Sequence, residues 1–249
     1  MRIWLSFLCV LGFSLIHFFS KSMRFADKVP RSKFLSFSAG VAVAYVFVLL
    51  LPELNDYQQV LLRELKGSSW RYLENHIYII ALVGLVLFYS LERLVKISQK
   101  NSHFKQPESA SSGVFWIHIG SFFVYNATIG YLLVQEEFDG PLGLLFYFIA
   151  LGVHFVTNDW SLRRDHKHVY DRYGRNLLTL AILLGWLIGA LTELNELVLS
   201  ILQAFIAGGV ILNVMKEELP QEQESSLGSF LIGSFLIGSF GYAFLLLLV

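Results

Sequence analysis

Apolar residues fill the chain in eight long blocks, at 3–20, 34–51, 77–95, 114–134, 142–160, 177–191, 198–215 and 227–249. Short polar segments separate them. A helix needs roughly 20 apolar residues to cross hydrocarbon. A barrel strand needs about 10, in strict alternation. The blocks are long and do not alternate, so they predict helices. Lipid offers backbone N–H and C=O groups no partner, which leaves helices and closed barrels as the only spanning forms. The pattern therefore predicts an all-α, polytopic membrane protein: one transmembrane domain over 1–249, built as an eight-helix bundle.

Composition agrees. Of 249 residues, 55% are hydrophobic and 15% charged, and the mean hydropathy is +0.58. Soluble domains carry about 25% charged residues. The net charge is zero, which argues against a nucleic-acid partner. Cys9 is the single cysteine and allows no internal disulfide. The first block follows Arg2 but has no small-residue cleavage pattern. It reads as a retained helix rather than a signal peptide.

The separating segments alternate in charge. Segments 21–33, 93–112 and 161–176 are strongly basic, whereas Glu136, Glu137 and Asp139, and then Glu193 and Glu196, mark opposite turns as acidic. The positive-inside rule puts the basic segments in the cytoplasm and, with eight spans, both termini outside a cell membrane. Arg2 and the acidic segment 216–226 run against that assignment but carry less charge. Residues 98–113, with Pro107 and a Ser/Gly run, are predicted to form a flexible cytoplasmic loop. Small residues four apart, Ser36/Gly40, Ser229/Gly233 and Ser234/Gly238, together with Ala207-Gly208-Gly209, predict close helix–helix contacts.

Polar groups inside spans are costly and default to functional candidates. The fifth span carries His154, Asn158 and Asp159. His154 and Asn158 are four apart and share a helix face, while Asp159 points about 100° away from Asn158. His118 lies roughly 6 Å inside the cytoplasmic edge of the fourth span, and the fifth-span group lies roughly 2–9 Å from the same edge. If the two helices are neighbours, His118, His154, Asn158 and Asp159 form one layer of N and O donors suited to Zn²⁺. An ordinary alternative pairs Asp159 with Arg163, four residues later. His17 reads as structural, Glu53 and Glu193 as solvated residues near the outer surface, and His166 and His168 as solvated loop residues.

At these positions the chain resembles the ZIP family of divalent-metal transporters. The second span ends in Leu51-Pro52-Glu53, the third runs Gly84 to Glu92-Arg93, the fifth reads His154-Phe-Val-Thr-Asn158-Asp159, and the seventh runs Ala207-Gly208 to Leu219-Pro220. Each is similar to the corresponding family segment. The resemblance implies eight helices, metal binding between the fourth and fifth, and rigid-body alternating access. Ser121, Phe122 and Tyr125 occupy the fourth-helix positions where the family carries ligands, and Phe155 stands where it has a glutamate.

The expected function is transport of a divalent metal, Zn or Fe, toward the cytoplasm, with metal ligands His154, Asn158, Asp159 and His118. Expected partners are the lipid bilayer, the metal ion and a second copy in a homodimer. No resident cofactor and no enzymatic activity are expected. One alternative is a ZIP-fold accessory or regulatory subunit that no longer moves metal. The other is a membrane haem protein or enzyme, for which His118 and His154 would have to face each other.

Overall fold

The computed structural model describes residues 2–22, 33–65, 76–102, 110–135, 140–218 and 226–247. Nearly all of these are helical: α1 (Arg2–Phe19), α2 (Lys33–Tyr45), α3 (Leu51–Glu64), α4 (His76–Ser102), α5 (Ala110–Gln135), α6 (Gly140–Val169), α7 (Arg175–Leu191), α8 (Glu196–Asn213) and α9 (Leu227–Leu247). Each of the eight apolar blocks falls on a helix. Among the described residues, six helical stretches are long and apolar enough to cross a membrane: Ile3–Ser22, Lys33–Glu64, His76–Ser98, Gly113–Gln135, Tyr170–Leu191 and Glu196–Lys216. The chain is thus an all-helical, multi-pass membrane protein.

Several boundaries move. The second block does not stop at Pro52. A π turn at Val46–Leu50, closed by the Leu51 N–H on the Val46 carbonyl, leads directly into α3, so Pro52, which has no N–H to donate, sits just where the helical ladder changes register. Helices α4 and α5 claim both ends of the loop expected at 98–113, and residues 103–109 lie outside the described residues. The segment expected as a loop at 161–176 is helical too: α6 continues to Val169, and a π turn at Tyr170–Gly174 leads into α7. The chain nevertheless reverses there. Along α1, Phe13 and His17 meet Phe148 and Asp159 of α6 in parallel order, while Phe7 and Phe18 meet Trp186 and Arg175 of α7 in antiparallel order.

Three helix pairs are packed backbone to backbone, and reciprocal glycines explain why. A Cβ on Gly40 would strike the carbonyl of Phe230, and one on Gly233 that of Phe37, so α2 and α9 touch directly. Gly84 and Gly208 stand in the same relation to Phe205 and Ala81 between α4 and α8, as do Gly130 and Gly185 to Ile182 and Ala127 between α5 and α7. In lipid there is little hydrophobic drive between helices, so close van der Waals packing of small residues holds such pairs. Ser234 adds a hydrogen bond from its hydroxyl to the Gly40 carbonyl at 3.2 Å. The expected contacts at Gly40, Gly233 and Gly208 are present, whereas Gly238 has no atom near its added Cβ. Large apolar side chains cover the outside, among them Trp4, Phe47, Ile117, Val124 and Phe235, each more than half exposed or close to it, as a lipid-facing surface requires.

Candidate functional site

His17, Glu92, His118, Asn158, Asp159 and Asn213, all buried, gather near one end of the bundle, the end that carries Arg163, Arg164 and Arg175. They form two adjacent groups, and α6 contributes to both. Asn158 and Asp159 are consecutive on that helix and therefore face about 100° apart. Asp159 turns toward α1, Asn158 toward α4, α5 and α8.

On the α1 side, His17 sits between two acceptors. Its Nδ1 lies 2.9 and 3.0 Å from the Asp159 carboxylate oxygens, and its Nε2 lies 2.9 Å from Asn126 Oδ1. The amide orientation of Asn126 is set by its own Nδ2, which donates to the Phe122 carbonyl at 2.8 Å. A neutral imidazole has one donor and one acceptor nitrogen, so both contacts are satisfied only when His17 carries both protons. His17, Asn126 and Asp159 are each fully buried. The result is a fully buried imidazolium–carboxylate pair joining α1, α5 and α6. Phe155 closes it on one side, with its ring 4.8 Å from that of His17. The buried Tyr170 hydroxyl lies near Asp159 and Ser20.

On the opposite side of α6 a pocket opens. Glu92 and Lys96 of α4, His118 and Phe122 of α5, Asn158, Ser161, Leu162 and Asp165 of α6, and Asn213 of α8 line it. Its free space takes about one water-sized particle. Glu92 also contacts the ammonium of Lys216, and Asp165 pairs with Arg164 at 3.6 Å. The Nδ2 atoms of Asn158 and Asn213 are buried with no hydrogen-bond partner among the described residues. A buried amide N–H left unpaired costs about 1–3 kcal/mol, so each of these donors can take a hydrogen-bond acceptor that enters the pocket, whereas a cation would have to meet the Oδ1 atoms instead.

His118 carries a further contact at the pocket wall. Its Nδ1 lies 3.0 Å from Nε2 of His166. His166 is helical and part-buried, its ring 5.2 Å from that of Phe115. That apolar flank removes water and pushes the imidazole down to about 4, so it is neutral at ordinary pH.

The four residues expected as one ligand layer are therefore divided. His118 and Asn158 share the pocket. Asp159 is bound to His17 rather than to Arg163, whose partner is Asp171 at 2.9 Å. His154 Nε2 meets the Tyr125 hydroxyl at 3.1 Å, in the ring cluster of Tyr125, Phe88 and Phe122. His118 thus faces His166, not His154. Among the described residues, no three His, Cys, Asp or Glu side chains converge at metal-binding spacing. Glu92, Asp165 and Asn213 join the pocket without being candidates by sequence, and His17 and His166, structural and solvated by sequence, each hold a specific contact. Glu92 and Asn213 sit within apolar helices, a signal that was available. His166 gave none, because its segment reads as a basic loop. No family model, curated protein or solved structure matches the chain.

Proposed function

We propose that the chain is a ZIP-like membrane protein of eight spans, with α6 and α9 completing the bundle, that carries a divalent cation toward the cytoplasm by alternating access. The pocket carries this reading. It has the size of an ion rather than of an organic solute, and it draws oxygen and nitrogen donors from four helices: Glu92, His118, Asn158, Asp165 and Asn213, with the ammonium-bearing Lys96 on the same wall and Lys216 beside Glu92 as the cations an entering ion would displace. Intramembrane polar residues at such a convergence mark ion paths. The glycine-sealed pairs α2–α9, α4–α8 and α5–α7 suit rigid-body motion, because each moves as one unit. The basic end then faces the cytoplasm, and the pocket is the inner station of the path.

The test is uptake of Zn²⁺ or Fe²⁺ into liposomes holding the purified protein. Glu92→Gln and Asn158→Leu should each cut the rate at least tenfold. Wild-type uptake no faster than empty liposomes would refute transport. A second reading, an accessory protein that keeps the scaffold, is favoured by the engagement of Asp159 with His17, itself held by Asn126, which takes an interior carboxylate away from any metal. Elemental analysis of purified protein separates the two, with no bound metal at saturating supply pointing to the accessory role.

A further inference from the structure

We propose that His118 and His166 together form a two-imidazole site for a borderline divalent cation at the edge of the pocket. The inference rests on the transport reading only in taking the pocket as the route to the site. Its geometry stands alone. Two nitrogens bound to one tetrahedral Zn²⁺ at about 2.0–2.1 Å are roughly 3.3–3.4 Å apart. His118 Nδ1 and His166 Nε2 are 3.0 Å apart, so a parting of a few tenths of an ångström, with the rings tilted until both lone pairs meet beside the N–N line, admits the ion. The rings are inclined at 62°, and each is steadied edge-on by an aromatic neighbour: His118 by Phe122 at 5.1 Å and His166 by Phe115 at 5.2 Å.

Metal ligation needs a lone pair on each facing nitrogen. In the hydrogen-bonded pair one facing nitrogen carries the proton. Moving that proton to the far nitrogen of the same ring frees the lone pair with no net proton lost. Nitrogen donors favour zinc-like ions over Mg²⁺ and Ca²⁺, which prefer oxygen. Only two side chains ligate, and water fills the remaining positions. A structural zinc site is closed by four protein ligands. A two-ligand site exchanges its ion, which fits a station on a path. One imidazole comes from α5 and the other from the far end of α6, so a change in the spacing of these helices would make or break the site.

The experiment titrates the purified full-length protein in detergent with Co²⁺, whose visible bands report nitrogen ligation, followed by displacement with Zn²⁺. One ion per chain is expected. His166→Ala and His118→Ala should each weaken binding at least tenfold. His168→Ala, exposed on the same helix, should leave binding unchanged. His166→Gln, checked by elution profile, guards against misfolding. X-ray absorption of the zinc form should find two imidazoles in wild type and one in His166→Gln. Binding unchanged in both His166 variants, or no ion bound to wild type, overturns the site. Zinc uptake into liposomes is read on the same variants. Uptake with binding indifferent to His166 sinks the histidine pair and spares transport. Histidine-dependent binding without uptake supports the pair and sinks transport.

Discussion

Replacing Asp159 by leucine should destabilise the fold by about 3–5 kcal/mol, the cost of stranding a buried charge. The magnitude follows from the site. His17 and Asp159 are both fully buried, and the carboxylate takes both short contacts to Nδ1, at 2.9 and 3.0 Å. Without it the imidazolium keeps Asn126 alone. His17→Leu strands the carboxylate instead and should cost a similar amount. The double variant strands neither, and leucine fills both positions with apolar volume. It should therefore cost less than the sum of the two singles by about 2–3 kcal/mol. For a chain of this length, each kcal/mol moves the melting temperature by about 2–4 °C, so the single variants should lose about 6–20 °C. Thermal unfolding of the four proteins in one detergent, followed by size-exclusion of heated samples, measures the cycle. Additivity within about 0.5 kcal/mol would show that the pair is not coupled, and the assignment of His17 as an imidazolium would fall with it.

Two further outcomes test the packing and the charge. Gly185→Ala places a methyl against the Ala127 carbonyl, which belongs to a helix backbone and cannot step aside; it should destabilise by at least about 1–3 kcal/mol. Gly120→Ala, in α5 with no atom near the new Cβ, should be neutral or stabilise by up to about 1 kcal/mol through helix propensity, and equal melting temperatures for the two variants would contradict the seam. In metal-free protein, His166 should make stability fall on acidification. Its ordinary value is 6.5 and its folded value about 4, so between these the unfolded chain binds the extra proton and stability rises with pH. The contribution, roughly 3 kcal/mol, is complete above pH 6.5 and lost by about pH 4. His166→Phe should flatten this part of a melting-temperature profile, and a profile identical to wild type would refute it.

The secondary structure was legible because lipid leaves a sequence few choices. Long apolar blocks must become helices, and small residues four apart at Gly40 and Gly233 announced a seam that exists. Helix ends were read less well. Lipid-crossing length and polarity mark where a block leaves the apolar layer, not where backbone hydrogen bonding stops, so α3 and the end of α6 went unread past Pro52 and Trp160. At the site, periodicity gave one true relation: Asn158 and Asp159 face different ways. It could not say toward what. Helix α1, 142 residues away in sequence, supplies the histidine that takes Asp159.

The sequence by itself determined the solvent, the helices and the set of costly polar residues, because these depend on composition and on spacing within one helix. Tertiary structure alone decided which of those residues meet. It sent Asp159 to His17, His154 to Tyr125 and His118 to His166, and it left Asn158 and Asn213 facing a common pocket. The physical reason is that a buried polar group must find a partner in three dimensions. Which one it finds is set by how helices from distant parts of the chain pack, and no local pattern encodes that.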